Sequence, residues 1–209
     1  MVWRVPIVVA LLLLPGIAAA QAPPPEVDAT AAALFERGLA AMTEGDFEVG
    51  CPALAESVRL APRAGAIFTL AECEARWGKI ASACSHYEDY LSRYTRMAPE
   101  QQKQQQEPFA IASRRRAELK PRVPELQIEL PPGAPPGAVV KRDGVVLGLP
   151  SLGVPLPVDP GVHEIVVELG GESTRRQVQV EPGAQERVVL ELPPSRPTAA
   201  SSPGPVTEP

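Results

Sequence analysis

Residues 31–62, AAALFERGLAAMTEGDFEVGCPALAESVRLAP, decide the architecture of this chain. Leu34, Phe35, Leu39 and Met42 recur near helical spacing and stop at Glu44-Gly45. Asp46 stands where it can cap a second helix, which carries Phe47, Leu54, Val58 and Leu60 and ends at Pro62. A second pair follows, with Ile67, Phe68 and Leu70 running up to Trp77-Gly78 and then Ile80 to about Met97. Two helix pairs punctuated alike predict an internal repeat of about 33 or 34 residues.

These residues resemble a tetratricopeptide repeat. With Ala31 as the first position, Leu34 stands at the large apolar site and Gly38 at the small site of the first helix. Gly45-Asp46-Phe47 matches the turn, Gly50 takes a small-residue position, and Pro62 closes the unit. The second unit is looser: Ala71 at the small site, Gly78 at the turn, Ala83 and Tyr87 on a second helix one residue shorter. Ala41 and Tyr90 depart from the usual residues at their sites. The resemblance implies stacked helical hairpins whose first helices line a concave face for a protein or peptide partner. On this chain that face would show Phe35, Leu39, Met42, Phe68 and Glu72. Phe35, Leu39 and Met42 make one apolar stripe by their spacing, and the competing reading of that stripe is plain core.

A repeat array needs about three units to cover its faces, so residues 99–120 are expected to supply a cap. Pro99 suits a first helical turn, while Pro108 should kink or restart the helix. Phe109, Ile111 and Leu119 are available to pack, and Gln101, Gln102, Lys103 and Gln104 should face water. The helical part is thus read as 28–120, two repeats plus a capping helix.

Three cysteines remain to be placed. In the repeat framework Cys51 falls on the second helix of the first pair and Cys73 on the first helix of the next, which are neighbours in such a stack. A Cys51–Cys73 bridge would close a loop of about 22 residues, worth roughly 3 kcal/mol in the entropy account. The rival pairing is Cys73 with Cys84, and a third reading leaves all three reduced and buried.

From Pro124 the period changes to two. Leu126, Ile128 and Leu130 alternate with polar residues, and Val139-Val140 lead into Asp143-Gly144, a hairpin signal, before Val145 to Leu147. Pro160-Gly161, Gly170-Gly171 and Pro182-Gly183 then separate Val162–Leu169, Thr174–Val180 and Arg187–Leu192. Short strands with frequent turns predict a small all-β sandwich over 124–193. Asp143-Gly144, Leu147-Gly148, Pro157 and Asp159-Pro160-Gly161-Val162-His163 make this part similar to a PEGA domain, with the Glu of the eponymous motif absent. The fold class expected is therefore α+β in two domains, helical hairpins first and the sandwich second.

The two ends differ from what they flank. Arg4, the apolar run Val5 to Leu14, Pro15-Gly16 and Ala18-Ala19-Ala20 read as a signal peptide over 1–20, with Gln21 as first mature residue. The run is shorter than the roughly 18 residues a membrane span needs, and no later stretch reads as transmembrane. Residues 21–27 read as a Pro-rich linker. Residues 194–209 lack large apolar side chains and read as a disordered Pro/Ser-rich tail. The expected location is exported: periplasm or cell envelope, or secreted.

Chemistry is scarce. Only His86 and His163 are present, each alone in its stretch, and Cys84 and His86 diverge on a helix, so no metal or cofactor site is expected. Gly148-Leu149-Pro150-Ser151-Leu152-Gly153 lacks the glycine two before serine that a nucleophile elbow has. Arg114-Arg115-Arg116 points three ways on a helix, and the net charge of −5 argues against nucleic acid. The expectation is a non-enzymatic scaffold or adaptor that holds a protein partner. The alternatives are a spacer that binds cell-wall polysaccharide and, third, a thiol-redox or other enzyme using Cys84 and His86.

Overall fold

The computed structural model describes residues 25–194, so the signal peptide read over 1–20 and the tail beyond Pro194 lie outside the described residues. Six helices come first: α1 (Pro25–Glu44), α2 (Phe47–Leu60), α3 (Ala64–Trp77), α4 (Ile80–Tyr94), α5 (Pro99–Gln104) and α6 (Gln106–Leu119). Seven strands follow: β1 (Glu125–Glu129), β2 (Val139–Arg142), β3 (Val145–Leu147), β4 (Pro155–Pro157), β5 (Gly161–Leu169), β6 (Glu172–Val180) and β7 (Gln185–Val189). The chain is α+β, a helical part and then a small β part.

Local chemistry sets the breaks between helices. Pro25 opens α1, so residues 25–27 of the stretch read as linker form its first turn instead. Proline is at ease there because first-turn amides have no helical acceptor. Asp46 caps α2, its carboxylate accepting the Val49 amide at 3.2 Å. Gly78 ends α3 in the left-handed region, with φ 84°, a conformation that glycine adopts without a Cβ clash. The stretch read as one capping helix is two, broken at Gln105, and Pro108 sits in the first turn of α6, where it restarts the helix as its sequence position predicts.

The helices pack in chain order. Met42, Cys51, Leu54, Leu70 and Cys73 form one buried cluster under α1, α2 and α3. Ile67, Ala71, Ala83, Tyr87, Tyr90 and Ala112 form a second, under α3, α4 and α6. Val58 touches both clusters and joins them. Phe109 and Leu119 of α6 pack against the second cluster, so this helix covers it.

The strands make two sheets, a three-stranded one ordered β4-β1-β7 and a four-stranded one ordered β3-β2-β5-β6. Leu126, Ile128 and Val188 from the first sheet meet Val140, Ile165, Val167 and Val180 from the second in a single apolar core. Alternation with polar neighbours turns these residues inward together. β1 and β7 pair in parallel, Leu126 beside Glu186 and Ile128 beside Val188; the other pairings are antiparallel. Asp143 (φ 51°) and Gly144 (φ 78°) form the β2–β3 turn, the combination a two-residue hairpin requires. Among the described residues, no helix is long and apolar enough to cross a membrane.

Candidate functional site

Two concave places bring together residues singled out in the sequence. The first lies between α1, the end of α2 and the start of α3. Ala31, Ala61, Gly65 and Ala66 are small enough to leave a hollow of about 360 Å³, and Phe35 supplies its aromatic wall. The Ser57 hydroxyl is spent inward, donating to the Ala31 carbonyl at 2.7 Å. Arg63 on the rim is held by both carboxylate oxygens of Asp28, at 2.6 and 2.5 Å. Glu36, also on the rim, has no ion pair or hydrogen-bond partner among the described residues.

The five residues assigned to the concave face divide. Phe35 lines the hollow, and Leu39, one turn on, is 37 % exposed. Met42 is buried with Cys51 and Leu54, inside the helix stack. Phe68 packs between Tyr87 and Tyr90, with ring centroids 6.5 and 5.4 Å away. Glu72 accepts the hydroxyl of buried Tyr87, and burial together with this bond pushes the phenol well above its ordinary value. Internal contacts take up Met42, Phe68 and Glu72, and Phe35, while lining the hollow, also packs against the cluster around Met42; Leu39 alone of the five is exposed. Cys51 and Cys73 stand at disulfide distance, 2.08 Å between sulfurs, bridging α2 and α3. Cys84 is a buried free thiol, and burial pushes its pKa up.

The second place is the seam between the helical and β parts, a cleft of about 350 Å³ lined by both histidines of the protein together with Ser82, Arg142, Asp143 and Asp159. His86, on α4, faces Glu74 of α3, Nδ1 to Oε2 at 2.6 Å. That bond raises the imidazole pKa, while burial raises that of Glu74 against the pull of His86. His163, on β5, is 8 % exposed. Its Nδ1 lies 2.7 Å from Asp143 Oδ2 and its Nε2 2.7 Å from the Asp159 carbonyl. Asp159 reaches across to α4, accepting the Ser82 amide at 3.0 Å and the Ser82 hydroxyl at 2.6 Å.

The seam's bonds are mutual. The Ser82 hydroxyl is committed to Asp159, and each histidine is oriented by a carboxylate. Among the described residues, no group of three or more His, Cys, Asp or Glu side chains is placed to hold a metal ion. Sequence reading found both histidines but treated each as solitary, because Glu74, Asp143 and Asp159 reach them only through the tertiary fold. The one local signal was Asp159 opening an Asp-Pro-Gly turn, and it says nothing about α4. No family model and no curated protein matches the chain.

Proposed function

We propose that this protein is an exported, non-enzymatic scaffold whose helical part, resembling tetratricopeptide repeats, holds a segment of a protein partner. The observation that carries the reading is the hollow walled by Phe35 between α1, α2 and α3. Its small lining residues leave space for one large apolar side chain, and Leu39 extends the apolar surface along α1. The α1–α2 hairpin, residues 25–62, carries seven acidic and two basic side chains. Together with unpaired Glu36 this favours a partner segment with basic residues beside the apolar anchor. The mechanism is shape and apolar burial, without covalent chemistry.

The β part, resembling a PEGA domain, serves in this reading as a second docking module within the envelope. Its edge strand β3 supports that role: Val145 and Val146 are 65 % and 58 % exposed, and Leu149 just beyond is 72 % exposed. The disulfide-distance pair agrees with an oxidising compartment.

The test is fluorescence anisotropy on the full chain with labelled amphipathic peptides, one of Phe, Leu and Lys and one of Phe, Leu and Glu. Binding of the lysine peptide alone is expected, and Phe35→Asp and Glu36→Lys should each weaken it by about tenfold or more while circular dichroism stays unchanged. An unfolded Phe35→Asp would place Phe35 in the core. Equal binding of both peptides, or binding indifferent to both substitutions, defeats the proposal.

A further inference from the structure

Asp159 joins the two parts of the chain from the β side. It lies between β4 and β5, and its two carboxylate oxygens take the amide and the hydroxyl of Ser82. Ser82 is the third residue of α4, whose own cap residue, Lys79, makes no side-chain cap bond. Amides in a first helical turn need an outside acceptor, and the helix dipole favours a negative one. Asp159 thus caps α4 from across the seam.

His163 in turn holds Asp159. Its two ring nitrogens face two acceptors, the Asp159 carbonyl and the Asp143 carboxylate. A carbonyl oxygen only accepts, and so does an ionised carboxylate. Both bonds therefore exist together only when the ring carries both protons. A neutral ring sets a nitrogen lone pair against one of those oxygens, and the bond on that side is lost.

The other charges at the site come from every side. β2 contributes Arg142, whose Nε is 3.9 Å from Asp143 Oδ2 and whose like charge opposes the imidazolium. The β2–β3 turn contributes the Asp143 carboxylate and the β4–β5 loop that of Asp159. On β6 the residue in register is apolar Val178. From the helical side, α4 brings His86, itself engaged with Glu74 of α3 and near Asp89.

We propose that this seam is a proton-operated latch: the His163 imidazolium fixes the Asp159 loop, the loop caps α4, and loss of the ring proton frees the start of α4 from the β part. The closed state is the one in which both ring nitrogens of His163 carry a proton, which lower pH favours and higher pH removes. While closed, the latch fixes the direction of the α1–α3 hollow relative to the β part, so proton loss changes how two docked partners are held.

Hydrogen exchange of the full chain, read by mass spectrometry and corrected for intrinsic rates, tests this at about pH 5.5 and about pH 8. First-turn amides of α4 are expected to lose about fivefold or more of their protection at the higher pH, while those of α2, capped locally by Asp46, keep theirs. His163→Gln should abolish the difference. Asp159→Ala, in a loop, should leave α4 poorly protected at both pH values, and it serves if His163→Gln fails to fold. Equal protection of α4 at both pH values, equal loss in α2, or a pH step that survives either substitution overturns the latch.

Discussion

Gly38 on α1 and Gly50 on α2 meet where the two helices cross, and neither has room for a side chain. A Cβ on Gly38 would stand 2.9 Å from the Gly50 carbonyl oxygen and 2.7 Å from Leu54 Cγ; one on Gly50 would stand 2.9 Å from the Met42 amide nitrogen. The backbones themselves are in contact, so the obstruction is main chain that cannot rotate away. Alanine at either site gains about 1 kcal/mol of helix propensity but must push two helices apart. The net expected loss is about 2 kcal/mol for Gly38→Ala and for Gly50→Ala, measured by urea unfolding. Gly65, in the first turn of α3 with nothing within 4 Å, is the control, and Gly65→Ala should be neutral or slightly stabilising.

The Cys51–Cys73 bridge ties α2 to α3 across 22 residues of sequence. Most of its effect should come through the unfolded chain, which it keeps from expanding. Cys51→Ala with Cys73→Ala together should cost about 3 kcal/mol, and adding reductant to the native protein should shift its unfolding by a similar amount. Thiol titration supplies a separate check. One thiol, Cys84, should react in denaturant and almost none in the folded protein, where burial holds it protonated. Rapid native labelling of more than one thiol would contradict the pairing.

What the sequence made legible was chemistry that acts within a few residues. Gly45-Asp46 stops one helix and caps the next by itself, and Asp143-Gly144 folds back by itself, so both could be read without knowing the fold. β4 escaped notice because two of its three residues are proline, which cannot donate to a ladder and so carries no strand signal; it survives as an edge against β1. The parallel pairing of β1 with β7 joins residues about sixty positions apart, with no local mark on either. Pro25 was read with its proline neighbours as linker, although a first helical turn accepts proline as readily. Met42 shows the limit of a stripe argument. Spacing put it in line with Phe35 and Leu39, but α2 and α3 decide which side of that stripe is inside.

The His86–Glu74 pair gives the helical part its own pH dependence. The imidazole pKa is raised above its ordinary 6.5, first by the bond to Glu74 and against the effect of burial. A histidine whose folded pKa exceeds its unfolded value adds stability that is fully present below the unfolded value and is lost as pH rises through the folded one. Glu74, raised by burial, acts in the same direction at lower pH. Unfolding free energy of the wild type should therefore fall as pH climbs from about 6 to about 8, and His86→Gln should flatten that slope. A slope unchanged in His86→Gln would show that the pair contributes nothing.

Asp143 carries three demands at once, and substitutions can separate them. Its backbone is in the left-handed region, its Oδ1 accepts the Glu164 amide at 3.0 Å, and its Oδ2 faces His163. Asparagine tolerates the backbone and can keep the Glu164 bond through its amide oxygen, but its NH2 group, a donor, then stands opposite His163 Nδ1 in place of the charged acceptor. Glycine suits the backbone but loses both bonds. Alanine loses both and adds the cost of a Cβ at positive φ, about 1 kcal/mol. The expected order of stability is wild type, Asn, Gly, Ala, with Asn about 1 kcal/mol down and Ala about 3 kcal/mol down. Alanine equal to glycine would mean that the turn relaxes away from positive φ at no cost. Asparagine equal to wild type would mean that the Asp143 carboxylate does little to hold His163.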